Sequence, residues 1–397
     1  MHICIAAPIA CADLAPYLDD RGAGLPAGYT GAPLTAVLIA ELLRLGHQVH
    51  ALTVDYESRL TKSVRAQGHN LICEVLPGRP RVWRREHGRP GRALDLFRDE
   101  RRAIAGAIIA ARPDIVHAHW TYEFALGAIE SKLPHIITVH DSPRQVARHT
   151  RSVYRLLRWW MASQALRQAD ALTAVSSYVA SEVRAMARVP IRLVPNPIAS
   201  GAFELGSSRL AARGQRVCMV CNGWAALKNP QVALRAFAQL RLQLPDAELH
   251  LMGTDFGPGE RAAQWAAGQG LADGVHFVGR LPHTELLRRM ASMDVLLHTA
   301  HEESFGVVIA EAMALGLPVV AGRHSGAVPW VAGAGQWLVD VRHAPSIAQA
   351  LRDALCDASA YAAASSAARR EARRFEAQVV AQAYLSAYAQ ALQEPLQ

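Results

Sequence analysis

Residues 301–322 read HEESFGVVIAEAMALGLPVVAG. They follow the apolar run DVLLHTA, from Asp294, which has the length and composition of a buried strand. The spacing predicts a helix over residues 304–315, ended by Gly316 and Pro318. LPVVAG, from Leu317, then reads as a second strand. Strand, polar turn, helix and strand make one unit of a parallel α/β sheet. Glu303 falls at the helix entrance, where a carboxylate suits the positive end of the dipole. Glu311 falls about two turns further in, among Val307, Val308, Ile309, Ala312 and Leu315. A carboxylate in so apolar a helix needs a partner or a ligand. Two readings stay open here. Glu303 caps the helix and Glu311 is salt-bridged, or the pair accepts hydrogen bonds from polyol hydroxyls. In the second case the N–H groups of Phe305 and Gly306 lie beside them, at a helix start that favours negative charge.

The same alternation runs outward in both directions. The first half offers strands at HICIAAP (from His2), QVHALTV (Gln48), NLICEVL (Asn70), DIVHAHW (Asp114), HIITVHD (His135), ALTAVS (Ala171) and IRLVPN (Ile191). The second half adds RVCMVCNG (Arg216), AELHLMG (Ala247), GVHFVG (Gly274), DVLLHTA, LPVVAG and GQWLVD (Gly335). Several are apolar nearly throughout, as strands covered on both faces are. Residues 195–214, with NPIASG and GSS, read as a linker. The expected plan is two tandem Rossmann-like domains, residues 1–200 and 201–374, with a closing helix over 375–397. In open parallel sheets a ligand sits beyond the carboxyl ends of the strands.

Composition sets bounds. The chain has 397 residues, 51% of them hydrophobic and 19% charged, which excludes wholesale disorder. No apolar run reaches the roughly 18 residues of a membrane-spanning helix. The start, MHICIAAPIACADL, lacks a cationic segment before its apolar run and reads as a strand, so a cytoplasmic protein is expected. Cys218 and Cys221 form a C-x-x-C inside a strand pattern, where they point to opposite faces and read as core. The net charge is +8, with Lys62, Lys132 and Lys228 as the lysines. That balance suits an anionic partner. No helix-turn-helix or RNA-binding aromatic signature is present, so nucleic acid is not expected.

E-S-F-G-x-x-x-x-E followed by A-x-A-x-G-x-P-V-V-A resembles the family-four retaining glycosyltransferases of the GT-B fold. GYTGAPLTAVLIAELLRLGHQVHALTV resembles that family's glycine loop, first helix and second strand. PDIVHAHW, TVHD and VPNPI resemble its later strand ends, and RRFEAQVVAQAYLSAYAQAL its last helix. The resemblance implies two domains facing across a cleft, with the last helix crossing back to the first. The first domain would bind the acceptor and the second a nucleoside-diphosphate sugar. It further implies that Glu311 accepts from ribose hydroxyls and that Glu303, with Ser304, Phe305 and Gly306, meets the donor sugar. Gly31 would let the backbone approach the diphosphate, and His140 would lie near the donor sugar, with Asp141 beside it.

Lys228, in NGWAALKNPQVALRAF after Gly223, is the phosphate candidate. An ammonium at a helix start opposes the dipole unless an anion is present. The alternative is an exposed loop lysine. The family usually carries an Arg four or five residues before this Lys, and here there is none. Arg280, in HFVGRLPHTEL, is the substitute cation, for the diphosphate or the base. SGAVPWV carries Trp330 where the family commonly has Glu. No D-x-D occurs, so cationic side chains are expected in place of a metal, with no cofactor.

Arg144, Arg148, Arg151, Arg155 and Arg158 recur at helical spacing. With the Arg-rich residues 79–102, they are either a solvated face or a contact for an anionic membrane or a phosphorylated lipid acceptor. The resemblance implies a retaining, metal-independent transferase moving sugar to a glycan or lipid-linked acceptor. Cell-envelope or exopolysaccharide synthesis, on the inner face of the plasma membrane, is the expected setting. A sugar-nucleotide hydrolase or epimerase, or a non-catalytic binding protein, would share the plan.

Overall fold

The computed structural model describes residues 1–29, 33–85, 88–150, 152–209 and 214–393. The chain divides into two units: Met1–Pro197 with Ala377–Gln397, and Ile198–Glu376. No helix among the described residues is long and apolar enough to cross a membrane.

The first unit is built on β1 (His2–Ala6), β2 (Gln48–Asp55), β3 (Val64–Gly68), β4 (Leu71–Pro77), β5 (Ile115–His119), β6 (His135–Val139), β7 (Ala171–Ala174) and β8 (Ile191–Leu193). They form one sheet in the order β3-β4-β2-β1-β5-β6-β7-β8. All neighbours are parallel except β3 and β4. β3 is absent from the sequence reading, because VRAQG is short, polar and half exposed. It is an edge strand turned back from β4 at Asn70, whose φ is +60°. Ile3, Ile5, Val49 and Ala51 pack with Leu38, Ile39 and Leu42 of helix Pro33–Arg44, and with Tyr384 and Tyr388 of helix Ala377–Gln393. Each fully buried side chain of this size contributes about 1.5–3 kcal/mol.

The second unit carries β9 (Arg216–Val220), β10 (Glu248–Met252), β11 (Val275–Gly279), β12 (Val295–His298), β13 (Val319–Gly322) and β14 (Trp337–Val339). Their order is β11-β10-β9-β12-β13-β14, parallel throughout. Val217, Met219, Leu249, Leu251, Val295 and Leu297 face Leu234, Phe237, Leu240, Ile347 and Leu351. Cys218 is buried in β9, and all cysteines are free thiols.

The linker reading of residues 195–214 needs correction. Ser200–Ser208 is a helix of the second unit. Gly206 serves close packing: a Cβ there would lie 2.3 Å from the carbonyl oxygen of Ala314. Arg209 then donates to the carbonyls of Ala291, Met293 and Gly316.

Candidate active site

In the second sheet the chain leaves β9 toward one edge and returns through β12 toward the other. The loops after these adjacent strands diverge there, which makes the classical crevice of an open α/β sheet. Lys228 lies in the loop after β9 and Glu303 in the loop after β12. Gly223 opens the first loop at φ +87°, a conformation glycine adopts without strain. A short 3-10 turn, Ala226–Lys228, follows, and Asn229 caps helix Pro230–Arg241 at φ +53°. The two loops are tied together. The N–H of His301 donates to Leu227 at 2.8 Å, and the Thr299 hydroxyl to the Lys228 carbonyl at 3.0 Å.

This frame sets Lys228 Nζ 2.5 Å from Glu303 Oε1. His298, the last residue of β12, brings Nε2 to 3.4 Å from the same oxygen. Burial alone would raise the Glu303 carboxyl. His298 and Lys228 outweigh burial and hold it down at about 2. Glu303 is thus an anion over the whole physiological range. Nδ1 of His298 is buried and has no hydrogen-bond partner among the described residues.

The helix after this loop starts later than expected. It spans Val307–Ala314, because Gly306 takes φ +88° at the N-cap. Glu303, Ser304 and Phe305 therefore lie in the preceding loop, and Glu303 does not cap the helix. Its other end is as read. Gly316 takes φ +75°, and Leu317 N–H returns to Ala312, closing the helix. Glu311 is buried, 5% exposed, and its Oε1 lies 2.6 Å from Nε2 of half-exposed His283. Arg280 is exposed, three residues before His283.

Phe305 reaches the core with its side chain. It packs edge-on against Phe375 at 5.2 Å and Trp330 at 6.4 Å. Arg374 lies over Trp330 at 4.5 Å and over Phe375 at 4.7 Å. Trp330 thus has a packing role in an aromatic cluster.

In the first unit His140 follows β6, beside the end of β5. Its Nε2 is 2.8 Å from His119 Nδ1, and its ring stacks on Trp120 at 4.2 Å. His117 lies against His119, centroids 4.1 Å apart. Its nitrogens reach Tyr388 Oη and Thr138 Oγ1, both at 2.7 Å. Burial pushes all three histidines down, His119 to about 3 and the others well below their ordinary value. Burial also raises Asp141, although Tyr122 donates to it at 3.2 Å. Gly31 lies outside the described residues.

The arginine stripe is not continuous. Helices Pro143–Thr150 and Val153–Gln168 are separate, with Ser152 capping the second through Arg155 N–H. Arg144 and Arg148 are exposed, Arg155 is half-buried, and Arg151 lies outside the described residues. Arg158 turns inward, paired to Glu123 and 3.7 Å over the Tyr122 ring. It is therefore not available to a membrane or acceptor.

Among the described residues, Glu248, His250 and His276 bring one ligand atom each within 4.8 Å of one another. Arg289 donates to His250 Nδ1 at 3.1 Å, which places the ring proton on Nε2, 3.0 Å from Glu248. A metal needs that nitrogen bare. These groups form a hydrogen-bond chain.

The family model described as glycosyl transferases group 1 matches residues 211–371, and the one described as Glycosyltransferase Family 4 matches residues 34–200. The chain belongs to glycosyltransferase family 4. A D-inositol 3-phosphate glycosyltransferase of Corynebacterium jeikeium is 33% identical over 171 residues, 39% of this chain and 41% of that relative's length. An N-acetyl-alpha-D-glucosaminyl L-malate synthase of Bacillus anthracis is 26% identical over 336 residues, 79% of this chain and 82% of its own. A sucrose-phosphate synthase from Thermosynechococcus elongatus shares the fold over 98% of both chains, with TM-score 0.74 and 18% identity. HepE of Anabaena, in complex with UDP, covers 98% of this chain and 100% of its own, with TM-score 0.68 and 19% identity. These likenesses establish the GT-B fold.

In this family 4 chain, Lys228 and Glu303 meet directly, and Glu311 finds His283 instead of either. His283, His298 and His119 were not singled out from sequence. Each is a lone histidine beside a strand or helix end, and only the fold brings it to a carboxylate or to His140.

Proposed function

We propose that the protein transfers a sugar, with retention of configuration, from a nucleoside-diphosphate sugar to a glycan or lipid-linked acceptor. The observation that carries this reading is the Lys228–Glu303 pair at the crevice of the second sheet. A cation and an ionised carboxylate side by side suit a ligand with phosphates at one end and hydroxyls at the other. HepE, which shares the fold, has been solved with UDP and with UDP-glucose.

Lys228 leaves Glu303 for the diphosphate and stabilises its departure. Glu303 then accepts from hydroxyls of the donor sugar, together with the loop of Ser304 and Gly306. Glu311, held by His283, accepts from the ribose. Gly31 and Gly223 admit the backbone to the phosphates, and Arg280 adds a second cation. His140 is neutral at physiological pH and offers the sugar a hydrogen bond without charge. Leaving diphosphate and acceptor share one face of the sugar, and the diphosphate takes the acceptor proton. Lys228 supplies the positive charge that a metal supplies elsewhere, so turnover persists in EDTA. The acceptor carries negative charge: inositol phosphate and malate figure in the names of two relatives. Its place is the cytoplasmic face of the membrane, in cell-envelope or exopolysaccharide synthesis.

The test is a thermal-shift panel of UDP-, GDP- and ADP-sugars in EDTA, on wild type and Glu311→Ala. A donor at 100 times its dissociation constant stabilises by about 2.7 kcal/mol. The expected result is a shift from one base, lost in Glu311→Ala. No shift from any sugar nucleotide overturns the reading. Turnover without acceptor assigns a hydrolase.

A further inference from the structure

A cavity of about 610 Å³ opens in the first unit, and His140 is not among its lining residues. Its walls are the segment after β2, with Arg59 and Thr61, the end of β4 and the residues after it that include Gly78, Arg81, Arg84 and Arg89, and the start of helix Arg98–Ala111. Arg79 forms the floor. It donates to Glu100 at 2.6 and 3.0 Å, to Asp95 at 2.7 and 2.8 Å, and to the Pro90 carbonyl at 3.1 Å. Those bonds occupy the whole guanidinium, and Asp99, also on the lining, lies 3.7 Å from it, so Arg79 is spent on these carboxylates. The segment is folded back on itself. Arg92 N–H donates to Arg81 and Ala93 N–H to Val82, both at 2.9 Å, and the Arg92 side chain donates to Pro80 at 2.7 Å. The rim that remains presents Arg81, Arg84 and Arg89. Neither Arg84 nor Arg89 has an ion-pair partner among the described residues.

Like charges gathered at one rim repel unless an anion joins them. Guanidinium forks match phosphate oxygens two at a time, and the volume is that of a ligand site. Trp83, on the same segment, packs edge-on against Tyr154 at 6.2 Å. Tyr154 belongs to helix Val153–Gln168, which exposes Val153 by 71%, Leu156 by 56% and Trp160 by 49%. Apolar and indole side chains on a surface helix, beside arginines, suit the interface of an anionic bilayer.

We infer that this pocket binds the phosphate or diphosphate group of the acceptor, and that the acceptor is borne by a lipid. The inference rests on the transferase reading for the word acceptor; the anion site stands without it. A soluble phosphate ester offers the same chemistry, and the exposed helix face favours the lipid.

The full chain is titrated calorimetrically with inorganic pyrophosphate at low salt, because exposed charges are screened at high salt. Lys228→Ala removes the donor-side contribution. On that background, Arg84→Ala with Arg89→Ala is expected to weaken the remaining binding at least about ten-fold. Arg342→Ala with Arg352→Ala, an equal charge loss at exposed positions of the second unit, is expected to leave it unchanged. Equal affinity with and without Arg84 and Arg89 overturns the pocket. Loss of binding only with Lys228 leaves the donor reading standing alone. An effect of the two arginines without one of Lys228 sinks the donor role and keeps the pocket. Co-sedimentation with vesicles of phosphatidylglycerol and phosphatidylcholine gives the source. Leu156→Ser with Trp160→Ser is expected to release the protein from them while pyrophosphate affinity holds. Pyrophosphate binding with no vesicle binding overturns the lipid and assigns a soluble phosphate ester.

Discussion

Lys228 and Glu303 are each other's counter-ion, 75 residues apart in sequence and 2.5 Å apart in space. Each is therefore engaged before any ligand arrives. A ligand that took Lys228 would leave Glu303 with His298 alone.

Glu303→Gln is expected to cost stability in a pH-dependent way. A carboxyl held at about 2 instead of its ordinary 4.5 contributes about 3 kcal/mol at neutral pH. That contribution is fully present above 4.5 and is lost as pH falls through the folded value. Urea unfolding of wild type and variant should show a gap at pH 7 that closes toward pH 2. A gap independent of pH would contradict the pairing.

The three buried histidines have the same sign for a different reason. His117, His119 and His140 stay neutral in the fold, while the unfolded chain protonates them near 6.5. As pH falls below that value, stability should fall with a slope of up to about 4 kcal/mol per pH unit if all three stay neutral in the fold. Imidazole resonances of all three should keep neutral shifts at pH 5 in NMR spectra. A titration near 6.5 at any of them would show it open to solvent.

Arg158 and Arg148 should separate cleanly. Arg158→Ala leaves Glu123 buried without its counter-ion and removes a cation from the Tyr122 ring, at an expected cost of about 3–5 kcal/mol. Arg148 is exposed, and Arg148→Ala should stay within about 0.5 kcal/mol. Chemical denaturation measures both, and similar costs would refute the inward placement.

Gly206→Ala drives a methyl group into the Ala314 carbonyl, 2.3 Å away. Helix Ser200–Ser208 must shift, at about 1–3 kcal/mol. A thermal midpoint equal to wild type would mean that this helix is not fixed against Val307–Ala314.

The sheets were legible because their strands are apolar runs at regular spacing, and β2 is buried at all but its first residue. β3 was not, since its one half-covered face carries only Val64, Ala66 and Gly68, too weak an apolar pattern to read. The spacing 303 to 311 was legible as a carboxylate pair. That Glu311 belongs to His283, and Glu303 to Lys228, was not, because both contacts are set by strand order. The helix start was misplaced by a glycine: Gly306 reads as helix-compatible in sequence, yet its positive φ makes it the cap. The arginine stripe misled for a related reason. Helical spacing records a face, and it does not say that Ser152 interrupts the helix or that Arg158 faces inward.

The helix Ala377–Gln393 belongs to the unit that begins at Met1, and Tyr388 closes on His117 across 271 residues. During synthesis, that wedge emerges only after the whole of Ile198–Glu376 has left the ribosome. The second unit is contiguous, so it can fold while the first still lacks a core helix. Completion of the first unit therefore cannot follow the usual N-terminal-first order. The first unit waits with His117 and the face of β1 uncovered for the whole time that the second is being made. A released chain ending at residue 376 would hold a whole second unit and an unfinished first one, and this is the stage at which a chaperone has something to hold.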